Sequence, residues 1–170
     1  DGNDAAPNAA DDAALDPGKS ALRPGETASF ANVTGYTRGL NGVMIDVDGL
    51  PSDPNTPGPS DFAFAVSNGP TATWSDAPAA SSITVRRGAG LAGSDRVTVV
   101  FPNDAIRDAW LRVTVLATDR TGLAAPDVFY FGNLVGETGD RAGAGATVSA
   151  LDLWRTRRNF AAAVDSPESV

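Results

Sequence analysis

Histidine and cysteine are both absent from the 170 residues, which removes the commonest general bases, nucleophile activators and transition-metal ligands. Chemistry is left to carboxylates, hydroxyls and arginine. The densest oxygen-rich stretch is GLPSDPNTPGPSDF, which carries Asp53, Asn55 and Asp61 and closely follows Asp46 and Asp48. These acids admit two readings: a loop calcium site near a strand end, or solvated acids on an exposed strand face and a Pro-rich loop. Two carboxylates can also hydrolyse a glycosidic bond. Here no spacing singles out a pair, and the chain is read as non-catalytic.

The aromatic residues offer binding rather than reaction. Trp74 lies in TATWSDAP, between strand-like runs, and Tyr36 lies in VTGYTRGLNG beside Arg38 and Asn41. Aromatic faces stack on the apolar faces of sugar rings, and Asp76, Arg38 and Asn41 could bond the hydroxyls. The competing roles are a lid over the sandwich edge for Trp74 and a strand-end core position for Tyr36. Tyr130 alternates with Phe129 and Phe131, so two of those three belong to a core. Arg86, Arg87 and Arg96 could form a patch for anionic polysaccharide or simply solubilise a strand.

The elements that must position these residues are short strands. Eighteen Gly and twelve Pro imply frequent turns, which suits many strands better than long helices. Strand-like runs, several of them alternating, occur at Thr27–Val33, Gly42–Val47, Phe62–Ser67, Ser82–Arg87, Arg96–Phe101, Leu111–Ala117 and Asp127–Phe131. In GVMIDV, Val43, Ile45 and Val47 are expected inward and Met44 and Asp46 outward. The expectation is an all-β, antiparallel two-sheet β-sandwich, Ig-like or jelly-roll-like, over residues 23–131, with a short C-terminal helix. Residues 1–22, poor in bulky apolar side chains, read as a disordered acidic linker. A short helical turn is expected at Pro102–Trp110, with Ile106 and Trp110 plugging the sandwich end. Residues 132–160 read as a loop plus helix, and 161–170 as a frayed tail.

The net charge is −8, and Lys19 is the only lysine. That balance argues against nucleic acid and anionic membranes and favours calcium, neutral polysaccharide or simple solubility. No apolar run is long enough to span a membrane. The chain opens at Asp1 in an acidic stretch and reads as a segment of a longer protein.

Two stretches carry a resemblance. VSALDLWRTRRN, within Val148–Phe160, resembles the end of a calcium loop and the helix of a dockerin type I repeat. The match places Ser149 late in the loop and Asp152 as the final acidic ligand. RAGAGAT stands where that family has its D-x-N-x-D-G acids, so the candidate calcium ligands are Glu137, Asp140 and Asp152. The body, from RPGETASFANVTGYTRGLNGVMIDVDGLP to the DVFYFGN–GETG idiom, is similar to a module of large secreted proteins of planctomycete-type bacteria, which stands before a dockerin-like segment. The resemblance spans about residues 21 to 160 and implies an extracellular accessory module. Together these readings predict a carbohydrate-binding module of a polysaccharide-active protein. The alternative is a structural or docking module with a protein partner, reached through the dockerin-like helix with Leu151 and Trp154.

Overall fold

The computed structural model describes residues 8–68 and 73–137. Their strands are β1 (Val33–Thr34), β2 (Gly42–Val47), β3 (Phe62–Ser67), β4 (Ser75–Asp76), β5 (Ser82–Arg86), β6 (Asp95–Val100), β7 (Trp110–Val115) and β8 (Asp127–Asn133). Five form one sheet in the order β1-β8-β7-β3-β4, and three form another in the order β2-β6-β5. Every ladder is antiparallel except β1 with β8, which run parallel.

Period-two alternation builds the core. Val43, Ile45 and Val47 of β2 and Val97 and Val99 of β6 are buried in one cluster with Phe62, Leu111, Val113, Val115 and Phe129 of the larger sheet. The two sheets therefore face each other across shared apolar side chains, which defines a sandwich. Burying each such side chain stabilises the fold by about 1.5–3 kcal/mol relative to leaving it in water.

The opposite face of the larger sheet carries a second cluster. Register sets Tyr130 beside Arg112, Arg112 beside Ala65, and Ala65 beside Asp76 in one row across the strands. Leu22 joins that row through an isolated bridge to Tyr130. In the next row Val33 and Trp110 flank Gly132. A Cβ at Gly132 would stand 3.0 Å from Val33 and 3.3 Å from the Trp110 indole. Trp110, Leu22 and Val33 are buried together, with Trp74 and Tyr130 packed against them. Ile106 does enter the main core as expected, but Trp110 packs on the outer face instead of plugging the sandwich end.

Three local expectations differ. Pro102–Trp110 forms turns, not a helical turn, because Asp104 and Asp108 take left-handed backbone angles (φ 64° and 50°) that a right-handed helix excludes. The run Thr27–Val33 is largely interrupted by a 3-10 turn at Phe30–Asn32, where the Ser29 amide and hydroxyl both donate to Asn32 Oδ1. The stretch expected as a linker carries a 3-10 helix at Ala9–Ala14, capped by Asn8, which accepts from the Ala10 amide at 2.7 Å.

Candidate functional site

The edge strands β1 and β2 leave a groove of about 580 Å³ along one flank of the sandwich. Its floor includes Val33, Met44 and Phe131, and its rim includes Tyr36, Asn41, Asp16 and Lys19. Tyr36 is 47% exposed. The loop that carries it is fixed by backbone bonds: the Gly39 amide donates to the Tyr36 carbonyl at 3.1 Å and the Leu40 amide to the Ile106 carbonyl at 2.8 Å. Gly39 is required there. Its φ is +79°, and a Cβ would run into the Ile106 carbonyl.

A buried asparagine holds the same loop from beneath. Asn133 Nδ2 donates to the carbonyls of Thr34 at 3.1 Å and Tyr36 at 2.9 Å, and its Oδ1 accepts from the Asp108 amide at 3.0 Å. Nearby, Asn41 Nδ2 donates to Asn103 Oδ1 at 3.2 Å, and the Asp104 amide donates to the Arg38 carbonyl at 2.8 Å. The polar rim thus rests on rigid supports, which a binding site needs.

The other wall is the N-terminal segment. Lys19 donates to the Phe30 carbonyl at 3.0 Å and lies over the Phe30 ring. Burial pushes its ammonium below the usual lysine range, against the opposing charges of Asp16 and Glu137. Asp12 pins this wall to the three-stranded sheet through Arg86, and through Arg96 at 2.8 Å. Arg96 also bonds Asp46 at 2.7 Å, and these two carboxylates raise its guanidinium above the ordinary value.

The residues singled out in the sequence fall in two places. Tyr36 and Asn41 line the groove, with exposed Arg38 in the same loop. Trp74 and Asp76 lie on the outer face of the five-stranded sheet. Trp74 is half-buried, its ring tilted against Tyr130 at 5.5 Å between centroids, and the Arg112 guanidinium carbon is 5.0 Å from its ring centre. Asp76 is exposed. Asp16, Lys19 and Asn133 carried no sequence signal, because their roles depend on contacts between distant segments.

Most acids of the oxygen-rich stretch are bound to arginines. Asp46 bonds Arg96, Asp53 bonds Arg87 at 3.3 Å and Asp61 bonds Arg120 at 2.9 Å. Among the described residues no three acids converge as a metal group. Glu137 is buried, whereas Asp140, Asp152, Leu151 and Trp154 lie outside the described residues. Arg86, Arg87 and Arg96 all hold carboxylates, so they present no free cationic patch. Compared with family models, curated proteins and solved structures, the chain finds no match.

Proposed function

We propose that this chain is a non-catalytic carbohydrate-binding module of an extracellular, polysaccharide-active protein, and that the flank groove receives the glycan. The observation that carries this reading is the exposed Tyr36 on the rim of a preformed groove, with Asn41, Asp16 and Lys19 around it. The ring offers a stacking face and the polar side chains offer donors and acceptors for hydroxyls. The resemblance of the body to secreted modules supports an extracellular place, and the attached polysaccharide-active enzyme belongs to the carbohydrate-binding reading. Calcium bound through Glu137, Asp140 and Asp152 belongs to the same proposal.

An immunoglobulin-like topology is part of the reading. In it β2, β6 and β5 correspond to the B, E and D strands and β3, β7 and β8 to C, F and G, with β4 as C′. The strand order and the parallel start of β1 beside β8 support that assignment.

The test is affinity electrophoresis through gels containing neutral polysaccharides, with and without calcium. Retardation by one glycan that Tyr36→Ala abolishes and Trp74→Ala leaves intact supports the groove. Equal mobility of wild type in every gel removes the groove as a neutral-glycan site and favours a docking role for it. Retardation unchanged in Tyr36→Ala would move the site elsewhere.

A further inference from the structure

Six of the described arginines hold carboxylates: Arg23, Arg86, Arg87, Arg96, Arg107 and Arg120. Arg38 and Arg112 do not. Arg38 is exposed at a loop tip, where water satisfies it. Arg112 is half-buried in the middle of a sheet face, so its lack of an acid partner there is unusual in a chain of net charge −8. Its guanidinium carbon lies 5.0 Å from the Trp74 ring centre, and an arginine over an aromatic face can still present the edge of its planar fork to a bidentate anion. Trp74 in turn rests on Tyr130. The neighbouring positions on β3, Ala65 and Ser67, are small and buried, whereas Ala63, two residues before Ala65 on the same face, is exposed. Asp76 stands on the far side of Ala65, two strand spacings or about 9–10 Å from Arg112 along the sheet.

We propose that the outer face of the five-stranded sheet is a second binding site, specific for a uronate-type acidic sugar. The sugar carboxylate would take the free fork of Arg112. The apolar face of the ring would lie against Trp74 and Tyr130, and Asp76 would accept from a hydroxyl. An acidic peptide shares the carboxylate but offers no ring face for the aromatic pair. The site is independent of the groove: Tyr36 takes no part in it.

The experiment titrates short oligogalacturonates into the full chain by calorimetry, since the acidic protein repels a long polyanion. Comparisons are the methyl-esterified oligomer and an oligoglutamate of matching charge. Binding of the oligogalacturonate is expected, lost on esterification, weakened at least tenfold in Arg112→Gln and unchanged in Tyr36→Ala. Arg112→Lys keeps the charge but not the planar fork, so it should bind several-fold more weakly than wild type while folding normally. This variant carries the test should Arg112→Gln not fold. Equal binding of oligoglutamate, no binding of the uronate, or affinity unchanged by both Arg112 variants would overturn the proposal. Loss in Tyr36→Ala would transfer the anion to the groove and overturn it too. Failure of neutral glycans to bind would remove the groove reading and leave this one standing.

Discussion

Asn133 and Tyr36 are joined by a 2.9 Å hydrogen bond from the asparagine amide to the tyrosine carbonyl, although they lie 97 positions apart in the chain. That bond ties the groove rim to β8, the strand that ends where the rim begins. Asn133 is 0% exposed and also serves Thr34 and Asp108. Removing its side chain leaves the Asp108 amide without its partner and takes one of two donors from each carbonyl, since Thr34 keeps the Leu134 amide and Tyr36 the Gly39 amide. Asn133→Ala should therefore cost about 1–3 kcal/mol of stability, read as a lowered denaturant midpoint. Asn133→Asp should fare no better, because a buried carboxylate cannot donate to the two carbonyls.

Asp61 links the start of β3 to the turn after β7. It is 1% exposed and accepts from the Gly58 amide at 2.8 Å, from Thr118 Oγ1 at 2.7 Å and from Arg120 at 2.9 Å. Burial pushes its carboxyl up, but these donors outweigh it and hold the group below the usual carboxylate range. A folded pKa below the unfolded value means the stabilisation is present above the unfolded pKa of about 3.9 and is lost as pH falls through the lowered folded value. Asp61→Asn should cost about 1–3 kcal/mol at pH 7. The gap to wild type should begin to narrow below about pH 4, where the unfolded carboxyl takes up a proton first, and close as pH falls through the lowered folded value. Urea denaturation of both proteins at pH 7 and pH 3 measures this, and a gap that stays constant would rule out the ionised role.

How much of this was legible follows the reach of each interaction. The strand-like runs GVMIDV and FAFAVS located β2 and β3 to the residue, and Val43, Ile45 and Val47 point inward as period two requires. Leu111, Val113 and Val115 are buried as expected, and Arg112 and Thr114 turn to the other face. The two-residue strands β1 and β4 are too short for any period to show, and their places depend on partners distant in sequence. Trp110 illustrates the limit best. Its burial was readable, but the sheet face it occupies was not, because that depends on Leu22 and Val33 arriving from the other end of the chain. The acids show the converse: Asp46, Asp53 and Asp61 leave calcium ligation and solvation equally open in one dimension, and in three they are bonded to Arg96 of β6, Arg87 just after β5 and Arg120 in the turn after β7.

Gly39 gives a sharp backbone test. A left-handed conformation costs an L-residue about 1–2 kcal/mol, and here the added Cβ also meets the Ile106 carbonyl, a backbone atom that cannot step aside. Gly39→Ala should therefore cost about 2–4 kcal/mol. It should also shift the Tyr36 loop and weaken glycan retardation further than the stability loss alone implies. Gly49, with φ +70° and nothing near its Cβ direction, is the control: Gly49→Ala carries the conformational cost without the collision, so its midpoint should fall less and its retardation should stay intact.

The segment Ala9–Ala14, which leads into the groove wall at Ala14, Leu15 and Asp16, is tethered through one carboxylate. Asp12 is bonded first by Arg86 and then by Arg96, and these bonds hold its carboxyl below the ordinary range. Both arginines lie on the three-stranded sheet, so Asp12 is the tether between that sheet and the segment that leads to Ala14, Leu15 and Asp16 on the groove. The pair is partly solvated and contributes little to global stability, yet a local tether can govern local opening. Asp12→Ala should leave the thermal midpoint almost unchanged. Amide exchange across residues 9–15 should accelerate, as should limited proteolysis there. The same opening should follow in wild type as pH falls through the lowered Asp12 value, since the protonated acid no longer attracts the two guanidinium groups. A variant in which exchange at 9–15 matches wild type would show that the wall is held by its packing and not by Asp12.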